Sequence, residues 1–312
     1  MSVPQRTAPE PRDASVRSIG RHGYHRIAYR DWGDPDAPVV FCAHGLSRNS
    51  HDFDPLARRL AAHRRVVCPD LVGRGRSDWL ADPADYHLIQ YNLDATVVAA
   101  RVGAESFDWI GTSLGGLMGI VLAGVPNSPI RRLVVNDIAP EVPVSALHRL
   151  ARYLGAEPRF PDLASVEAHL RETLAPFGPM TDADWRRMAE TSAVATDRGY
   201  RMAYDPGIAH NFRRFWLPIH TSLWRFWDRI TCPVLILRGA RSDFLTPPLL
   251  DRMLRRLPHA EVVEFEGVGH TPTLNADAQI RPLLRWLELP DTAGSTAARV
   301  SAPGAREDSG GQ

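Results

Sequence analysis

Ser113 stands between two glycines in Gly111-Thr112-Ser113-Leu114-Gly115, with the apolar run Phe107 to Ile110 before it and the helical run Leu117 to Ala123 after it. A strand, a glycine-flanked serine and then a helix is the order that sets a hydroxyl on a strained turn and projects it from a sheet edge. That hydroxyl is a poor nucleophile at neutral pH. It needs a base, and the base needs an acid to fix its tautomer and steady its charge. His270 closes Gly267-Val268-Gly269-His270 and Asp243 closes Gly239-Ala240-Arg241-Ser242-Asp243, each just after an apolar run. Asp137 ends the run Arg132 to Ile138 and is a second candidate for the acid.

The elements that must hold these groups can be read from the periodicity. Val16 to Ile19 and His25 to Arg30 predict an antiparallel entry. Pro38 to Ala43 is continuously apolar, as in a strand covered on both faces. Helical spacing in Phe53, Leu56, Ala57, Leu60 and Ala61 then leads to a strand over Arg65 to Pro69. Helix Gln90 to Val102 precedes the serine-bearing unit, and a strand over Arg132 to Ile138 follows it. From 139 to 228 the alternation stops, and the spacing predicts a helical insert without strands, holding four of the eight tryptophans. A strand over Ile230 to Gly239, a helix over Pro247 to Leu257, a strand over Val262 to Phe265 and a helix over Ala278 to Leu289 close the pattern. Such alternation implies a mostly parallel sheet with helices on both faces and ligands beyond the carboxyl ends of its strands.

Composition narrows the partners. The 312 residues are 44% hydrophobic and 23% charged, enough for one large core, and 37 Lys and Arg nearly balance 36 Asp and Glu. No net field recommends nucleic acid or an anionic membrane, so a small neutral molecule is the expected partner. No stretch has the ~20 apolar residues of a bilayer span. Residues 1–13 lack the apolar run of a secretory signal and read as a disordered lead-in; 290–312 read as a disordered tail. Cys42, Cys68 and Cys232 show no paired spacing, and the twelve histidines form no ligand pair, so neither disulfide nor metal is expected. A cytoplasmic location follows from the same features. Glycine-rich Asp70 to Trp79 lacks the third glycine and the helix start of a dinucleotide fingerprint.

Together, His44-Gly45 after the third strand, Gly73-x-Gly75-x-Ser77, Gly-Thr-Ser-Leu-Gly-Gly at 111–116 and Gly-Val-Gly-His at 267–270 resemble the α/β-hydrolase superfamily. The likeness is to its cap-bearing esterase, enol-lactonase and C–C hydrolase branch, and it covers Arg26 to Leu289. It implies an α/β-hydrolase fold with a mostly parallel sheet of about eight strands: a core over 14–138 and 229–289, and a helical cap over 139–228. The implied triad is Ser113, His270 and Asp243, whose loop matches the usual acid loop more closely than that of Asp137, where some relatives place theirs. The resemblance further implies an oxyanion hole from the backbone N–H groups of Leu46 and Leu114, with His44 organising that loop. Trp216, Trp224 and Trp227, with His44, are expected to border the substrate slot, whose indoles would favour an apolar acyl group. The implied activity is cofactor-independent hydrolysis of small to medium carboxylic esters through an acyl-enzyme. Hydroxyalkanoate-oligomer hydrolysis, enol-lactonase activity and C–C cleavage use the same residues, and a non-catalytic receptor is the alternative of another class.

Overall fold

Eight strands share one sheet in the order β1-β2-β4-β3-β5-β6-β10-β11. The computed structural model describes residues 10–154, 157–210 and 222–288. Strands β1 (Arg12–Gly20) and β2 (Gly23–Trp32) form an antiparallel hairpin, and β2 runs antiparallel to β4 (Arg65–Pro69). From β4 onward, β3 (Val39–Ala43), β5 (Phe107–Thr112), β6 (Ile130–Asn136), β10 (Val234–Gly239) and β11 (Glu261–Phe265) are parallel. All eight expected strands are present. β1 begins at Arg12, within the stretch read as a disordered lead-in, because Arg12 and Asp13 pair with Asp31 and Arg30.

The continuous apolar runs are explained by cover on both faces of the sheet. On one face Phe41, Val67, Trp109, Leu133 and Ile236 join a core with α2 (Leu88–Arg101) and α3 (Leu114–Ala123). On the other, Val40, Cys42, Val66, Ile110, Val134 and Leu235 pack against α1 (Asp54–Leu60) and α9 (Asp277–Glu288). Trp109 anchors the first core: it is fully buried, stacks on Phe41 at 4.9 Å, and donates from Nε1 to Gly115 O at 2.9 Å. Its position fixes the start of α3 against the end of β5.

Between β6 and β10 lie helices α4 (Val144–Leu154), α5 (Leu163–Thr173), α6 (Asp182–Ser192) and α7 (Trp224–Trp227). The expectation of a segment without strands is corrected here. Strands β7 (Arg159–Phe160), β8 (Ala193–Thr196) and β9 (Gly199–Met202) form a small antiparallel sheet ordered β7-β9-β8. At two to four residues they are too short to establish a twofold alternation. A bridge between Arg74 and Tyr204 ties this region to the loop after β4. Helix α8 (Pro247–Arg256) links β10 to β11. Among the described residues no helix is long and apolar enough to cross a membrane.

Candidate active site

Strands β5 and β6 are paired through Thr112 and Asn136, so their next residues, Ser113 and Asp137, leave the sheet side by side. Both have left-handed backbones, with φ of 51° and 58°. A non-glycine residue held there costs ~1–3 kcal/mol and persists only when its surroundings enforce it. Ser113 is enforced from both sides. Its N–H donates to Asn136 O at 2.9 Å, and its carbonyl accepts from Gly116 and Leu117 at 2.9 and 3.0 Å. The flanking glycines are steric requirements: a Cβ on Gly111 would stand 2.1 Å from Gly115 O, and one on Gly115 would stand 2.0 Å from Ala43 O.

His270 arrives from the loop after β11. Its Nε2 lies 3.0 Å from Ser113 Oγ, and its Nδ1 lies 2.8 Å from Asp137 Oδ2. Because a carboxylate only accepts, Nδ1 carries the proton, leaving Nε2 to accept from the serine hydroxyl. The ring is buried and stacks on Phe244 at 3.8 Å, which sets its plane.

Asp137, not Asp243, faces the imidazole. Asp243 is exposed, whereas Ser242 beside it is buried and donates from Oγ to Asp137 Oδ2 at 2.6 Å. Gly239 N–H donates to Asp137 Oδ1 at 3.0 Å. The loop after β10 therefore supplies donors to the acid instead of the acid itself. Asn136 adds a brace, donating from Nδ2 to Thr112 Oγ1 at 3.1 Å and to Pro272 O at 2.9 Å, so the histidine loop is tied to β5 and β6.

A family model for alpha/beta hydrolases matches residues 39–281. The chain belongs to the alpha/beta hydrolase family. It is 43% identical over 279 residues to a 3-hydroxybutyrate-oligomer hydrolase from Cupriavidus necator, covering 86% of this chain and 95% of the relative. It is 34% identical over 271 residues to a bifunctional esterase/perhydrolase from Acinetobacter calcoaceticus, with 84% and 95% covered. An alpha/beta hydrolase structure from Novosphingobium aromaticivorans superposes with a TM-score of 0.80 at 36% identity, covering 89% of this chain and 98% of that one. The chain is thus an enzyme, a hydrolase of this fold.

The turn after β3 completes the surroundings of Ser113 in this hydrolase. A Cβ on Gly45 would lie 3.8 Å from Ser113 Cβ, so His44-Gly45-Leu46 passes beside the serine. The N–H groups of Leu46 and Leu114 have no acceptor among the described residues. His44 is fully buried, its Nε2 accepting from Leu71 N–H at 2.9 Å and its Nδ1 donating to Gly45 O at 2.7 Å. Burial pushes its imidazole down to about 4, so the ring is neutral and braces two backbones. Arg74 is likewise buried and donates to Leu46 O at 2.8 Å and Val72 O at 2.6 Å. No sequence signal distinguished Arg74 from its neighbours in the glycine-rich loop.

A cavity opens above Ser113, and among the described residues no tryptophan lines it. Its lining is mainly apolar, with Leu46, Phe53, Leu174, Phe177 and Met188, and Thr112, Thr173, Thr191, Thr273 and Asn275 add polar groups. Trp227 is fully buried, donating to Met253 O at 3.1 Å, and Trp224 is buried and donates to Glu141 Oε2 at 2.8 Å. Neither borders the cavity, nor does His44, whose nitrogens are both engaged. Trp216 lies outside the described residues. Arg48 and Asn49 are buried, not solvated: Arg48 Nη1 donates to Ser192 Oγ and Asn49 Nδ2 to Thr191 O, both at 2.8 Å. They fasten the end of α6 to the Leu46 turn.

Proposed function

We propose that this hydrolase cleaves short linear esters of hydroxycarboxylic acids by a serine acyl-enzyme route. The observation that carries the reading is the row Ser113, His270, Asp137, hydrogen-bonded at 3.0 and 2.8 Å beneath a cavity of mixed lining. His270 Nε2 takes the Ser113 proton as Oγ attacks the ester carbonyl carbon, and Asp137 steadies the imidazolium. The carbonyl oxygen, now an oxyanion, accepts from the N–H groups of Leu46 and Leu114. When the intermediate collapses, the alkoxide leaves with the proton from Nε2. Water, activated by the same nitrogen, then releases the acid and restores Ser113. The route needs no cofactor or metal.

Substrate class is supported by two facts. The cavity mixes apolar side chains with threonine and asparagine groups, which suits a chain alternating aliphatic and ester units, and a relative 43% identical over 279 residues is named as a 3-hydroxybutyrate-oligomer hydrolase. We assign 139–228 as a cap over the site, with the core in 14–138 and 229–289. The three free thiols suit a reducing compartment, so we place the enzyme in the cytoplasm. A preformed nucleophile–base contact favours an enzyme over a receptor.

The test is a panel of linear 3-hydroxybutyrate dimers and trimers, p-nitrophenyl acyl esters and lactones, assayed against wild type and Ser113→Ala. Oligomers and p-nitrophenyl butyrate are expected to turn over, and Ser113→Ala to lose at least ~10⁴-fold in kcat while remaining folded. Preferential lactone opening would overturn the substrate class. Retained activity in the variant would overturn the nucleophile.

A further inference from the structure

Besides His270, the basic and acidic side chains that line the cavity among the described residues are Arg48, His51, Asp52 and Arg187. Three of these are engaged by their neighbours. Asp52 accepts from Arg48 Nε and Nη2, the latter at 2.6 Å, and Arg48 Nη1 is held by Ser192. His51 Nδ1 lies 3.0 Å from Asp54 Oδ2. Arg187 differs. Its Nη2 meets Asp184 Oδ1 at 2.8 Å, and its Nε and Nη1 donors have no acceptor among the described residues. It stands on the face of α6 that also turns Met188 and Thr191 to the cavity, with its side chain 43% exposed. Asp184 itself does not line the cavity and is occupied by Thr181, whose N–H donates at 3.1 Å and whose Oγ1 donates at 2.7 Å.

A planar guanidinium with open donors, over a cavity that ends at a nucleophilic hydroxyl, matches the two oxygens of a carboxylate. We propose that Arg187 binds the free terminal carboxylate of the ester being cleaved. The inference rests on the oligomer reading above and specifies which end of the chain is recognised. In a linear hydroxyacid oligomer, the terminal carboxylate belongs to the alcohol half of the last ester bond. Arg187 therefore marks a leaving-group subsite, and the enzyme trims from the carboxylate end. In each cycle the bond between Ser113 Oγ and the acyl carbon forms, and the bond from that carbon to the terminal unit's oxygen breaks. That oxygen takes the proton from His270 Nε2, and the freed hydroxyacid, its carboxylate unchanged, then leaves Arg187. Water then cleaves the acyl-enzyme, releasing the shortened oligomer with a new carboxylate.

The experiment compares the dimer and trimer as free acids and as methyl esters, with wild type and Arg187→Gln, and p-nitrophenyl butyrate as the reference substrate. Wild type is expected to favour the free acids in kcat/KM. In Arg187→Gln the acids should lose ~10- to 100-fold more than the methyl esters, the worth of a hydrogen-bonded charge, so the acid-to-ester ratio collapses. Acylating the hydroxyl end of the trimer should leave that ratio in place. No acid preference in wild type, or equal losses on acid and methyl ester, overturns the carboxylate subsite while the ester-hydrolase reading stands. Cleavage of p-nitrophenyl butyrate with no cleavage of any oligomer overturns the oligomer reading and the subsite with it.

Discussion

Which carboxylate orients His270 is decided by the direction in which one loop turns. Ser242 is buried with its hydroxyl on Asp137, and Asp243 faces outward, so the loop expected to carry the acid supplies a donor to it. Asp137→Asn keeps the shape but favours the wrong histidine tautomer, and is expected to lower kcat by ~10³- to 10⁴-fold. Asp243→Asn should stay within a few-fold of wild type. Steady-state rates on p-nitrophenyl butyrate check both, and the reverse ranking would remove Asp137 from the mechanism. Ser113 and His270 were legible because glycines stand on both sides of the first and just before the second, in a distinctive order. The acid was not, since two aspartates follow adjacent strands and no residue pattern reveals which side chain turns inward. Arg187 was invisible for a similar reason: an arginine on a helix reads as a solvated face until the cavity beside it is known.

At the level of single elements, the junction of β5 with α3 depends on close backbone approach. Gly115 packs its α-carbon against the carbonyl of Ala43, where an added methyl would stand 2.0 Å away. Gly115→Ala must push the first turn of α3 away from β3, carrying the Leu114 N–H out of line with that of Leu46. The expected result is a loss of ~10²-fold or more in kcat, comparable to deleting one oxyanion donor, together with a lower Tm. Near-wild-type rates in the variant would show that this amide is not needed. The strand, turn and helix were plain in the sequence because length and apolar continuity agree there. The small sheet of β7, β8 and β9 was not, because its strands are held by hairpin closure and neighbouring helices more than by their own pattern.

Across the molecule, the buried imidazole of His44 couples folding to acidity. His44 is neutral in the folded chain, its titration pushed down to about 4 by burial, whereas in the unfolded chain it titrates near 6.5. Between those values the unfolded state binds more protons. His44 therefore costs nothing above pH 6.5 and progressively removes stability as pH falls toward 4. Urea unfolding at pH 7.5 and at pH 4.5 should show the gap between wild type and His44→Gln shrinking in acid, because glutamine does not titrate; a constant gap would contradict the assignment. The pairing of Thr112 with Asn136 carries one more implication. Since Ser113 and Asp137 leave neighbouring rails of the sheet, their gauge is set by main-chain pitch, ~4.8 Å between strands, and not by the fit of any aliphatic residue beneath them. Sequence drift below the rails changes how firmly they are bedded while leaving the gauge alone.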